Sequence, residues 1–483
     1  MTEATRSENV IEAAEERNLQ RSLSNRHIQL IALGGAIGTG LFLGSGETIS
    51  KAGPSILLVY AVIGFMLYFV MRAMGELLLH KLEYRSFQDF AADILGPWAG
   101  FFVGWTYWFS WVVIGMADVV AITGYWEYWL GEDLRWLAMV LTTAVMLALL
   151  VMNLASVKLF GEIEFWFAIV KLAAIVALVG VASFMVIVGF TSPDGTTASV
   201  SHLWSHGGIF PTKFAGFVNG FQLAVFAFVG TELIGTAAAE AKDPEVTLPK
   251  AINAIPVRIV IFYLGALAAI MSVTPWREVD SGSSPFVAMF SLAGLGVAAG
   301  VVNFVVLTAA ASSANSGIYS TSRMLFGLSW AGHAPRIFRK LTARSVPGPA
   351  LLATCAALLT SIPLLYMSES IMTAFLTVTT MASVLFIFVW CIIIVSYLRF
   401  RVLRPDWHAM STFRLPGGWV SAWGTLAFFL FVVWTLIQAD KTREAVAVSP
   451  IWLAALGVAW WLRSRRTARK ETGDESSAAV EEM

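Results

Sequence analysis

Two glycine-interrupted runs carry the main chemical possibilities of this 483-residue chain. The first is Gly34-Gly35-Ala36-Ile37-Gly38-Thr39-Gly40-Leu41-Phe42-Leu43-Gly44. Each glycine in a helix interior costs about 1 kcal/mol relative to alanine, so a run this dense weakens any helix through it. Gly34 and Gly38 would allow close packing against a second helix. Alternatively the helix is broken, and its second half starts near Thr39. The freed amides and positive dipole end would then form an anion site, suited to a carboxylate. The second run, Phe226-Ala227-Phe228-Val229-Gly230-Thr231-Glu232-Leu233-Ile234-Gly235, repeats the Gly-Thr-x-Leu pattern of positions 38–41. Unwound carbonyls around Phe226, Ala227 and Val229 would accept hydrogen bonds from an ammonium group. A carboxylate site facing an ammonium site describes the backbone of an amino acid.

Charged residues add a second kind of chemistry, because they interrupt apolar segments. Lys171 lies about seven residues into one such segment, or roughly 10 Å along a helix. It either snorkels to the interface or turns its ammonium into the protein interior, where it holds a cation position or exchanges a proton. Glu232 sits in the second glycine run, as a cap for freed amides or as a proton carrier. Asp118 is expected to make a polar contact between helices. Thr39, Ser312, Ser313, Asn315 and Ser316 are small polar residues of the kind that tie helices together. Arg72 and Glu76, four apart, are expected to form an ion pair.

The composition dictates what must position these groups. The chain is 57% hydrophobic and 13% charged, about half the charge of an average soluble domain. A soluble protein of this size has too few charges here to cover its surface, and a disordered one would be far more polar. Zero net charge gives no support for nucleic-acid binding. Twelve segments approach the roughly 20 apolar residues that cross a bilayer as helix: 28–47, 55–79, 98–126, 136–156, 164–190, 214–239, 252–273, 298–328, 350–368, 370–398, 420–438 and 445–462. They are numbered as spans 1–12 below. Continuous apolar runs mean helices rather than a barrel, so the expected fold is an all-α polytopic membrane protein with twelve transmembrane helices. The glycine runs fall near the middles of spans 1 and 6, which open two successive five-helix groups. Matching interruptions in two halves point to a transport site between inverted repeats.

Orientation follows from the 32 lysines and arginines. With both ends of the chain on the inner side, 25 fall on inner segments or near inner helix ends and six on outer ones, leaving Lys171 deeper within a span. Tryptophans such as Trp98, Trp129, Trp419 and Trp461 lie near span ends and fit interfacial belts. The six histidines fall in loops or tails, without HExxH or paired intramembrane ligands for a metal or haem. Cys355 and Cys391 are lone thiols suited to packing. No enzyme chemistry and no cofactor is expected.

Several segments resemble bacterial amino acid permeases of the amino acid–polyamine–organocation superfamily. They are NRHIQLIALGGAIGTGLFLGSG (25–46), GPWAGFFVGWTYW (96–108), GEIEFWFAIVK (161–171), FAFVGTELIGTAAAE (226–240) and ASSANSGIYSTSRMLFGL (311–328). RAMGELLL (72–79), SFQDFAADILGPWAG (86–100), MADVVAIT (116–123) and IMSVTPW (270–276) are similar to the branch carrying D-serine, D-alanine and glycine. The resemblance implies a first five-helix repeat over 28–190 and an inverted second repeat over 214–398. Helices 11 and 12 follow over 420–462, between cytoplasmic tails at 1–27 and 463–483. It implies import of small neutral amino acids by proton symport across the bacterial inner membrane, with amino acid, proton and lipid as the partners; another neutral amino acid is the alternative substrate, and a transporter-like sensor the alternative function. Ile37, Gly38, Thr39 and Gly40 would take the carboxylate, and Phe226, Ala227 and Val229 the amino group. Lys171 would stand where sodium-coupled relatives hold an ion, and Glu232 would serve proton coupling. Other branches often place a glutamate in the middle of span 3, where this chain has Ser110 and Trp111; that departure points away from the proline and aromatic branches. Oligomeric state is not legible.

Overall fold

The computed structural model describes residues 37–84, 86–155, 157–233 and 243–481, the stretch beyond 465 by its backbone alone. Among these residues every regular element is helical, apart from one isolated bridge between Thr191 and Thr197. Among the described residues, ten helices are long and apolar enough to cross a bilayer. They are Gly44–His80, Pro97–Leu130, Glu132–Ala155, Leu159–Val188, Pro244–Val273, Gly296–Trp330, Gly348–Met367, Ile371–Leu403, Trp419–Gln438 and Thr442–Arg465. The protein is an all-α polytopic membrane protein. These ten match expected spans 2–5 and 7–12, the first of them also holding the end of span 1. The two remaining spans, 1 and 6, are those with the glycine runs. Gly34, Gly35 and Ala36 of the first, and Ile234 and Gly235 of the second, lie outside the described residues.

Burial separates an inner layer from a lipid-facing one. Within the most apolar stretch of each helix, 78% of span 3 is buried and 67% of span 10, against 17% for Thr442–Arg465. Span 3 packs along both span 8 and span 10, and small residues permit the approach. A Cβ on Gly104 would stand 2.7 Å from Leu328 Cδ2 of span 8, and one on Gly115 2.2 Å from Leu358 Cδ2 of span 9. Helices in lipid associate through such close contacts, since burial of apolar surface drives nothing there.

The segments expected on the inner side meet one another. Arg404 pairs with Asp93 at 2.9 Å and contacts His80 Nε2 at 3.0 Å, while Tyr84 donates to the same Asp93 carboxylate. The expected Arg72–Glu76 pair does not form. Glu76 is fully buried and accepts from the Leu415 amide at 2.8 Å, with His408 Nδ1 2.5 Å from its other oxygen. Arg72 donates instead to Asn253 and to the Arg414 carbonyl, its guanidinium stacked 3.7 Å over Phe413. The loop at 411–415 offers both residues better-placed partners than they are to each other along one helix. At the opposite end, Trp276 donates to the His206 carbonyl and Lys51 pairs with Glu47 at 3.1 Å. The first of these contacts joins two loops, and the second lies within the helix Gly44–Ala52.

Candidate functional site

In span 1 the described backbone is non-helical at Ile37 and Gly38. Gly38 is extended (φ −136°, ψ −159°), and helix begins at Thr39–Phe42 and resumes over Gly44–Ala52. The first bond of this helix runs from the Leu41 amide to the Gly38 carbonyl at 3.2 Å. The amides of Thr39 and Gly40 precede it in the first turn, where amides have no intrahelical acceptor. Span 6 breaks opposite. Helix Lys213–Ala224 tightens into a 3₁₀ turn at Val225–Phe228, Val229 is extended, and Gly230 takes φ +95°, a conformation natural only to glycine. The two breaks touch. A Cβ on Gly40 would lie 2.6 Å from Ala227 Cα, so only glycine fits.

Between the breaks is a cavity of about 280 Å³ of empty space, mouth included, lined by Gly38, Thr39, Gly40, Phe226, Ala227, Val229, Trp111, Ile114 and Ser313. Ligand pockets usually span about 300–1,000 Å³, so this one suits a molecule of a few heavy atoms. Six of the seven residues expected at the substrate line it. Ile37 does not, and its carbonyl faces away to Lys171. The Ala227 carbonyl is engaged by the Tyr263 hydroxyl at 3.0 Å, from a π-helical stretch of span 7 at Ile259–Gly265. A carbonyl has a second lone pair, so this bond steadies the broken segment without closing it to a ligand.

Lys171 does not snorkel. It is 1% exposed, and its ammonium donates to the Ile37 carbonyl at 3.3 Å and to the Ser312 hydroxyl at 3.0 Å. Ser312 in turn donates to Glu164 Oε1 at 2.7 Å, which stands 4.0 Å from the ammonium. Asn315 Nδ2 approaches the other carboxylate oxygen at 3.4 Å, and Asn153 of span 4 donates to Asn315 at 2.7 Å. Asp118 makes the interhelical contact expected of it, accepting from the Thr39 hydroxyl at 2.9 Å. Glu232 is buried beside Gly230, whose amide donates to its carboxylate at 3.2 Å. That is a contact of the capping kind. The site therefore brings span 1, span 3, span 5, span 6 and span 8 to one place, with Glu232 three residues beyond Val229 of the cavity wall.

A comparison with family models places residues 27–472 in one model, described as amino acid permease. The chain belongs to the amino acid permease family. The family moves amino acids across membranes and does not transform them. The permease is 57% identical over 457 residues to the D-serine/D-alanine/glycine transporter of Escherichia coli K12, an overlap covering 95% of this chain and 97% of that one. It is 47% identical over 453 residues to the amino-acid permease AapA of Bacillus subtilis 168, covering 94% and 96% of the two.

Four contributors to the site of this permease are not marked in its sequence motifs. Glu164 stands seven residues before Lys171, two helical turns and hence on one face, a spacing that would have exposed it. Trp111 and Ile114 line the cavity from span 3 one turn apart, but nothing in an all-apolar segment marks which residues face inward. Tyr263 had no signal at all, since the π-helical register that aims it is not written in the apolar pattern.

Proposed function

We propose that this permease imports small neutral amino acids, with glycine, D-alanine and D-serine as substrates, by proton symport with alternating access. The observation that carries the reading is the small cavity closed between two helix breaks, one supplying amides and the other carbonyls. The substrate carboxylate meets the amides of Gly38, Thr39 and Gly40, where the dipole end of the second half-helix favours negative charge. Its ammonium group meets carbonyls of Phe226, Ala227 and Val229. Trp111, Ile114 and Ser313 then face the side chain, and their closeness favours hydrogen, methyl or hydroxymethyl groups. The 57% identity to a transporter of D-serine, D-alanine and glycine supports the same choice.

Lys171 carries the coupled proton in this reading. Its ammonium bridges the Ile37 carbonyl to Ser312, tying the broken span 1 to span 8, and Glu232 acts as a second proton site. The repeats at 28–190 and 214–398 rock around the cavity, helices 11 and 12 flank them, and both tails face the cytoplasm of a bacterial inner membrane. Purified permease in liposomes with an acidic exterior is expected to accumulate labelled glycine. Accumulation that persists after a protonophore collapses the gradient would rule out proton coupling. Competition by a panel of D- and L-amino acids decides the substrate, and preference for a large side chain would refute the assignment.

A further inference from the structure

Glu164 is buried without exposure and lies outside the cavity lining, so the substrate site gives it no task. We propose that Glu164 is the positioning residue of the proton site: it holds the Lys171 ammonium beneath the Ile37 carbonyl and sets the proton concentration at which uptake proceeds. The inference rests on the reading of Lys171 as the proton carrier.

The geometry is directional. The Ser312 hydroxyl has one proton, and it spends that proton on Glu164 Oε1 at 2.7 Å while its lone pair accepts from the ammonium at 3.0 Å. Carboxylate, hydroxyl and ammonium thus form a chain whose bonds are strongest when the lysine is charged at one end and the glutamate at the other. The second carboxylate oxygen is held through Asn315 and Asn153, which fixes it to spans 8 and 4. Around the lysine, span 3 brings Asp118, a second carboxylate within electrostatic reach. Span 1 brings the neutral Ile37 carbonyl, span 8 the neutral Ser312 hydroxyl and span 4 the neutral Asn153 amide. Span 7 packs against span 5 through Ala266–Val273, which has no ionisable side chain, and through Ile259–Gly265, whose one ionisable side chain is Tyr263. Glu164 is the carboxylate joined to the ammonium by a hydrogen-bonded bridge, and a buried charge that loses its partner is strongly disfavoured.

Glu164→Gln keeps the shape and an acceptor for Ser312 but removes the charge. Initial rates of labelled glycine uptake, measured from external pH 5 to 8, are expected to reach half-maximum at least one unit lower than in wild type. That is about a tenfold higher proton requirement. Ser312→Ala should shift the profile the same way by less. A uniform fall at all pH values, with the midpoint unmoved, would assign Glu164 a merely structural part and overturn the proposal. Glycine-dependent thermal stabilisation of the purified variant reports folding. If Glu164→Gln does not fold, Glu164→Asp and Ser312→Ala carry the test, and unmoved midpoints in both refute the proposal. Lys171→Ala separates the two levels. If it retains gradient-driven uptake, the reading of Lys171 fails; if it is inactive while Glu164→Gln follows the wild-type profile, the proposal about Glu164 fails alone.

Discussion

Replacing Gly40 by alanine tests whether the two helix breaks form one binding unit. The added Cβ would lie 2.6 Å from Ala227 Cα, 2.8 Å from Ala227 N and 2.9 Å from Phe226 Cδ1. Ordinary contacts start near 3.4 Å, so the breaks must part by close to an ångström, and two of the obstructing atoms are backbone. Overpacking of this kind costs about 1–3 kcal/mol. If that cost falls on the closed site, affinity for glycine drops about 5- to 150-fold, at 1.4 kcal/mol per factor of ten. Helix propensity alone predicts the opposite sign, since alanine is favoured over glycine by about 1 kcal/mol. The assay is equilibrium binding of labelled glycine to purified protein, with thermal melting as the control for folding. Two neighbours calibrate it. Gly38→Ala meets the Ser313 hydroxyl at 3.2 Å, which rotation relieves, and Gly44→Ala meets nothing closer than 3.4 Å. The expected order of loss is Gly40, then Gly38, then Gly44. Wild-type affinity in Gly40→Ala, or a larger loss in Gly44→Ala, would show that the breaks do not close on the substrate together.

Trp111→Leu shortens one wall of the cavity; larger neutral amino acids should then compete with glycine at least about tenfold better, in the range one or two methylenes are worth, as read by an inhibition panel. Thr39→Val removes the donor to Asp118 and leaves a buried carboxylate oxygen without its partner, a cost of about 1–3 kcal/mol that should lower the melting temperature. Glu76→Ala orphans the Leu415 amide and His408 on the inner face; a loss of similar size is expected in the same melt, without a change in substrate preference. His333, in the loop after span 8, is held down to about 4 by burial and by the charge of Arg463. The unfolded chain therefore binds this proton more readily, and stability falls as pH drops from about 6.5 to 4. His333→Phe keeps the ring contacts with Phe101 and Trp460 and should flatten the pH dependence of melting in that window.

Apolar length made ten of the expected helices legible, because a bilayer demands both continuity and about 20 residues. The two glycine runs marked where continuity fails, and there the backbone of Gly38 is extended and that of Val225–Gly230 leaves the α-helix. Arg72 and Glu76 show the limit of reading one helix at a time. Their spacing fits an ion pair, yet a loop more than 300 residues away supplies closer partners. Trp111 and Tyr263 were illegible for a related reason. In a span apolar on every face, only tertiary packing decides which side chain meets the cavity.

The broken segment of span 1 places two demands on a single peptide group. The Ile37 carbonyl receives the Lys171 ammonium, and the amide bonded to that carbonyl carbon is Gly38, at the cavity wall. A trans peptide is a stiff plank whose oxygen and hydrogen point to opposite sides. Tilting the plank to meet a ligand on one edge swings the other edge past the lysine. Proton and substrate would then need no relay of side chains to sense one another, only the stiffness of one amide bond.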